Sequence, residues 1–170
     1  MSSPGKLTLR ELIALGLLAA MMIGTKVAMA ALPNVHLGCV ILAFTVALFG
    51  WKALYTAMVY VLLEGAVYGF GIWWICYLYC WPLLVALLMT VRKKESTLLF
   101  AGVTALFGYG FGALCEIPYL FLSGWKTAVA MWMAGIPYDL IHGTANFILC
   151  MLLLPPLKRV GEKLGPMMKK

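Results

Sequence analysis

Six long apolar runs divide this chain: Leu12–Leu32, Leu37–Phe49, Ala53–Phe70, Ile72–Val91, Leu98–Leu122 and Ala128–Leu154. A hydrocarbon core about 30 Å thick needs about 20 helical residues per crossing, since a helix rises ~1.5 Å per residue. The second run is short and ends at FGWK, Phe49–Lys52, which supplies a turn and an interfacial aromatic. Strands of a barrel would alternate polar and apolar residues over ~10 positions, and no stretch of this sequence does so. The expectation is an all-α integral membrane protein, with residues 1–170 forming a single domain of six transmembrane helices. Composition agrees: 64% hydrophobic and 11% charged residues leave more apolar surface than a soluble domain of this length can hide.

The net charge of +7 is a topology signal rather than a sign of nucleic-acid binding. With six spans, eleven cations fall on one side: Lys6, Arg10, Lys52, Arg92, Lys93, Lys94, Lys158, Arg159, Lys163, Lys169 and Lys170. The other side holds Lys126, and Lys26 lies within the first span. The positive-inside rule therefore places both termini in the cytoplasm. The first run, followed by Ala28-Met29-Ala30, imitates a cleavable secretory signal, but Lys26 interrupts the approach to that site and the run is read as a span. Five cysteines, Cys39, Cys76, Cys80, Cys115 and Cys150, fall in or at the ends of apolar runs. Their odd number and lack of zinc-type spacing point to packing.

Ionisable groups inside spans are costly and therefore informative. Three of the six acidic residues, Glu64, Glu116 and Asp139, lie there, and with Lys26 they gather in the outer half of the membrane. In the sixth run, AGIPYDLIHGTANF, the residues Trp132, Asp139, His142 and Asn146 fall within about 80° of arc at ~100° per residue. Gly135 and Gly143 leave room beside them, and Pro137 is expected to kink the helix and free carbonyls. Polar groups, small residues and a broken helix together describe a cavity wall. Tyr68, Trp73, Trp74 and Tyr77 cluster at the same level, and the loop ALPNVHLG, Ala31–Gly38, adds Asn34 and His36. The aromatics serve either as an interfacial belt or as stacking surfaces for a planar ligand. The charges serve either to join helices or to bind a ligand, and three acids against one lysine favour a cationic one. Lys26 itself either points inward or snorkels to the interface.

No G-x-x-x-x-G-K-[ST] stretch is present to cradle nucleotide phosphates. Two histidines are too few for a di-iron oxygenase, and neither H-E-x-x-H nor a nucleophile elbow occurs. No enzymatic activity, metal or cofactor is therefore expected. The alternative is a small intramembrane enzyme or ion-conducting oligomer built on Glu64, Glu116, Asp139 and His142.

Gly16, Ala20, Gly24 and Ala28 recur every fourth residue along the first span. Such a ladder permits close helix approach, either to a neighbouring span or to a second membrane protein. This layout, with GLLAA at Gly16–Ala20, ALPNVHLG, LLEGAVYGFGIWW and GIPYDLIHG, resembles the substrate-binding S components of energy-coupling factor (ECF) transporters. In that family an A-x-x-x-A motif on the first helix docks onto a membrane coupling protein driven by two ATPase subunits. Here its first alanine is Gly16. The resemblance implies a bacterial plasma-membrane subunit that captures a vitamin or related micronutrient from outside and delivers it inward. It also implies that Gly16, Ala20 and Gly24 dock the partner. The ligand-binding set would be Lys26, Asn34, His36, Glu64, Tyr68, Trp73, Trp74, Tyr77, Glu116, Trp132, Asp139, His142 and Asn146. Thiamine-, pyridoxamine- and deazaguanine-like molecules suit the charge excess, with a corrinoid possible and a flavin less favoured.

Overall fold

The computed structural model describes residues 7–168; Lys6, Lys169 and Lys170 lie outside them. It is 87% helix, with no strand among the described residues. In chain order the helices are α1 (Leu9–Ala28), α2 (Gly38–Phe49), α3 (Ala53–Tyr68), α4 (Ile72–Arg92), α5 (Thr97–Tyr109), α6 (Phe111–Cys115), α7 (Ile117–Ser123) and α8 (Trp125–Met168). A single 3-10 turn, Gly50–Lys52, joins α2 to α3.

Local chemistry sets the ends. Thr8 and Glu11 form a reciprocal capping box at the start of α1, at 3.0 and 3.2 Å, which satisfies two otherwise orphaned N–H groups. Lys52 then donates to both Glu11 carboxylate oxygens at 2.7 and 2.8 Å, tying the start of α3 to the start of α1. The α2 sequence, GCVILAFTVALF, has no polar face, and a helix apolar all round belongs in a core. Every residue from Gly38 to Val46 is buried, and the one hydroxyl among them, on Thr45, donates to the Ile41 carbonyl at 2.7 Å.

Contacts fix the direction of each helix. Glu11 meets Lys52, Leu15 meets Thr56 and Lys26 meets Glu64, so α1 and α3 run the same way. Trp74 reaches the Val61 carbonyl and Trp81 packs on Tyr60, so α4 opposes α3. Arg92 reaches the Val46 carbonyl, while a Cβ on Gly38 would touch Trp81, so α2 runs with α4. The Gly50–Lys52 turn therefore reverses the chain; Gly50 itself has φ +59°, a backbone region that favours glycine. Asn146 meets Thr104, Tyr109 meets Thr144 and Gly112 meets Asp139, which sets α8 antiparallel to α5 and α6. This pair approaches closely because Gly108 faces Gly143: a Cβ on Gly108 would lie 2.7 Å from the Gly143 Cα.

Two expectations need revision. The fifth apolar run is divided into α5, α6 and α7, with breaks at Gly110 and Glu116. The sixth is longer than Ala128–Leu154, and Pro137 does not break it: α8 is helical from Trp125 to Met168. A proline removes one N–H donor, and the hydrogen bonds of flanking turns carry the helix past it. By length and apolarity four stretches can cross a membrane: Leu9–Ala28, Gly38–Tyr68, Ile72–Arg92 and Trp125–Lys163. The second includes the turn at Gly50–Lys52 and so both α2 and α3. Leu12, Leu17 and Met21 on α1, and Leu140, Ile148 and Leu152 on α8, are exposed. Such faces suit contact with lipid rather than water.

Candidate functional site

A cavity of about 230 Å³ opens at the end of the bundle where α1 and α3 finish. One wall is the loop joining α1 to α2, which contributes residues from Met29 to His36; Lys26, Tyr68, Tyr77, Phe111 and His142 close it from five helices. The loop turns at Asn34, whose φ of +57° is a conformation asparagine tolerates better than most residues. Six residues singled out in the sequence line this cavity: Lys26, Asn34, His36, Tyr68, Tyr77 and His142.

Lys26 points inward. Its ammonium donates to Glu64 Oε2 at 2.7 Å, lies 3.5 Å from the Tyr77 hydroxyl, and stands 4.9 Å from the centre of the Tyr68 ring. Glu64 is fully buried and its second oxygen, Oε1, has no hydrogen-bond partner among the described residues. The lysine thus compensates a carboxylate that would otherwise be an isolated buried charge, and it keeps spare N–H groups toward the cavity.

His36 and His142 face each other with ring centres 5.2 Å apart. His36 Nδ1 accepts the Gly38 N–H at 3.2 Å. Enclosure by the protein, with His142 and Lys26 adding to it, pushes the His36 pKa down to about 3. The neutral ring therefore carries its proton on Nε2, which leaves a donor for a ligand. His142 Nε2 lies 3.9 Å from the Cys39 sulfur, and its Nδ1 has no hydrogen-bond partner among the described residues. Beneath them Trp81 is fully buried, edge-on to Tyr60 at 4.8 Å and packed against Tyr77, Phe107 and Phe111.

The remaining residues of the expected binding set lie elsewhere. Asp139 Oδ1 accepts the Gly112 N–H at 3.0 Å, and a Cβ on Gly112 would collide with that carboxylate. Asn146 donates to the Thr104 carbonyl at 3.2 Å. Both therefore join α8 to α5 and α6. Trp74 donates its indole N–H to the Val61 carbonyl at 2.8 Å, which joins α4 to α3. Trp73 packs edge-on against Tyr77 at 5.2 Å behind the cavity wall. Trp132 is exposed, and Glu116 sits at the α6–α7 junction. The excess negative charge that favoured a cationic ligand is accordingly not on the cavity wall.

Phe111, Trp81 and the loop residues Met29, Ala30, Leu32, Pro33 and Val35 were not singled out in the sequence, although the loop and its Asn34 and His36 were. Trp81 follows Tyr77 by one helical turn, a signal that it shares the same face. Phe111 had none, because it lies beyond the break at Gly110. A second group was also missed: the sulfurs of Cys76, Cys80 and Cys115 lie within 4.8 Å of one another.

On α1 the Gly16–Ala20–Gly24 ladder faces outward. Ala20 and Gly24 are exposed, and a Cβ built on Gly16 or Gly24 would meet nothing within 4 Å among the described residues. At the opposite end of the bundle from the first cavity, one of about 520 Å³ is bordered by Arg92, Lys93, Glu95, Lys158 and Glu162. No protein-family model matches the chain, and no curated protein or solved structure matches it.

Proposed function

We infer that this chain is a six-span plasma-membrane subunit of bacterial type, with both termini cytoplasmic, that captures a small micronutrient from outside. In this reading it works as an S component, handing its ligand inward with a membrane coupling protein and two ATPase subunits. The observation that carries the reading is the cavity lined by Lys26, Asn34, His36, Tyr68, Tyr77 and His142. The alternating helix directions support six passes. The cationic end formed around Lys52, Arg92 and Lys158 supports the orientation. The unfilled face of Gly16 and Gly24 supports docking of a partner.

The wall chemistry also narrows the ligand. Lys26 and His36 offer donors, Tyr68, Tyr77 and Phe111 offer ring surfaces, and no carboxylate lines the cavity among the described residues. A planar, acceptor-bearing molecule that is neutral or anionic fits better than a cation. A volume of about 230 Å³, at or below the usual ~300 Å³ lower bound of ligand pockets, suits one or two rings. A corrinoid or flavin is too large.

The test is native mass spectrometry of protein purified gently in detergent. A ligand held with a Kd of about 1 nM, about −12 kcal/mol, survives that treatment. The expected result is a one-to-one adduct with the mass of a one- or two-ring micronutrient, reduced in the His36→Ala variant. Bare protein with no co-purifying ATPase subunits would overturn the reading. Ion conductance or substrate turnover would replace it with a channel or an intramembrane enzyme.

A further inference from the structure

Cys76 and Cys80 stand one helical turn apart on α4, which places both on one face. Cys115 ends α6 and packs against them, its sulfur 2.8 Å from that of Cys76. The position of Cys115 is held from the side: the Tyr79 hydroxyl donates to the Leu114 carbonyl at 2.6 Å and pins α6 to α4. Cys76 and Cys80 are fully buried, whereas Cys115 is half-buried and gives the group a route to the outside. All three are free thiols. The next residue, Glu116, has a buried carboxylate oxygen, Oε2, with no hydrogen-bond partner among the described residues. None of these groups lines the cavity assigned to the micronutrient.

Three sulfurs converging from two rigid helices make a ligand set. We propose that Cys76, Cys80 and Cys115 bind a single soft monovalent metal ion of the Cu(I) type. The donor set carries the choice of ion. Thiolates select soft ions such as Cu(I), whereas carboxylate and carbonyl oxygens select hard ones. Zinc sites close with four ligands; here sulfur supplies three, which suffices for an ion of low coordination number. With metal–sulfur bonds of about 2.3 Å, three sulfurs around one ion stand about 4 Å apart. The trio, all within 4.8 Å, reaches that arrangement when Cys76 and Cys115 separate by about 1 Å. Binding releases thiol protons to the surroundings, past the half-buried Cys115. The ion would bridge α4 to α6 and so hold the break at Gly110 in one arrangement.

The test uses full-length protein in detergent, reduced and kept anaerobic, titrated with Cu(I) from a chromophoric competing chelator. One equivalent should bind, with a thiolate-to-copper absorption band and a single copper adduct in the native mass spectrum. Cys76→Ser, Cys80→Ser and Cys115→Ser should each weaken binding by at least the about 10- to 100-fold seen when only supporting groups of a metal site are lost. Cys39→Ser and Cys150→Ser should leave it unchanged. The C76A/C80A/C115A protein should keep its helical circular dichroism and its unfolding temperature without copper, while losing the rise in that temperature that copper gives the parent. Failure of the reduced parent to take up copper would overturn the proposal. So would copper binding that survives the triple substitution, or that is lost with Cys39 or Cys150.

Discussion

Two groups of polar residues lie inside this apolar bundle and they are used differently. Asp139 accepts one hydrogen bond from the Gly112 N–H and Asn146 donates one to the Thr104 carbonyl, while Asp139 Oδ2 and Asn146 Oδ1 have no partner among the described residues. Lys26, His36 and His142 instead line open space, with a spare donor on Lys26. Residue type does not separate the groups, since His142 and Asn146 are neighbours one turn apart on the same helix face. What separates them is whether a close helix stands opposite. Gly108 and Gly112 bring the α5–α6 backbone within reach of Asn146 and Asp139, while His142 lines a cavity together with the α1–α2 loop. A polar residue in a span is thus a tie or a binding group according to the size of the residue facing it.

The strongest way to break this contrast is at the Lys26–Glu64 pair. Lys26→Met leaves a fully buried carboxylate without its counter-charge. The loss of one member of a buried pair costs about 3–5 kcal/mol. Reversible unfolding in mixed micelles should show that loss, and ligand binding should fall with it. K26M/E64Q should recover most of the stability without recovering binding. If the double variant binds as well as the parent, Lys26 is a tie like Asp139 and the distinction fails.

The ties give the next largest effect. Asp139→Ala strands the Gly112 N–H, and Gly108→Leu forces a side chain into the Gly143 backbone. Each should lower stability by about 1–3 kcal/mol. Ligand affinity, measured by isothermal titration on the folded fraction, should change far less than in His36→Ala. Lost binding in Asp139→Ala with stability intact would move Asp139 to the cavity group.

The sequence carried the helical runs, the presence of charges within them and about half of the cavity wall, because apolar length and intramembrane polarity are local signals; which way Lys26 points was not among them. Lys26, His36 and His142 were legible as polar groups in or beside apolar runs. That Asp139 and Asn146 would meet a backbone was not, since this depends on which glycine stands across the interface. The division of Leu98–Leu122 into three helices was hidden because Gly110 and Glu116 look like ordinary interruptions of an apolar run. The continuous α8 was missed for the opposite reason: Pro137 is a strong local signal that flanking turns override. The cysteine trio had half a signal, the spacing of Cys76 and Cys80, and the other half is tertiary.

A smaller effect tests the cavity group by pH. The His36 pKa is displaced downward, from about 6.5 to about 3, so the unfolded chain takes up a proton that the folded one refuses. Stability should therefore be level above pH 6.5 and decline as the pH falls from there toward 3. By pH 5.5 the loss amounts to about 1 kcal/mol, after allowance for the partial exposure of the residue. His36→Gln should flatten that decline. A parent protein equally stable at pH 7.5 and 5 would place the His36 ring in contact with water.

The smallest effect on stability is expected on α1, and it separates that helix from every tie in the bundle. Gly143 and Gly108 are tight, whereas a Cβ added at Gly16 would meet nothing within 4 Å among the described residues. Gly16→Leu should therefore leave stability unchanged or raise it by up to about 1 kcal/mol, because leucine is the better helix former. Ligand binding should also be unchanged. Uptake by cells that supply the coupling partner should nonetheless fall to background, because the added side chain blocks close approach of a partner helix. Normal uptake by this variant would remove the docking role from the Gly16–Ala20–Gly24 face while leaving the cavity untouched. Loss of stability instead would mean that the face is covered within the protein, and that Gly16 belongs with Gly108 and Gly143.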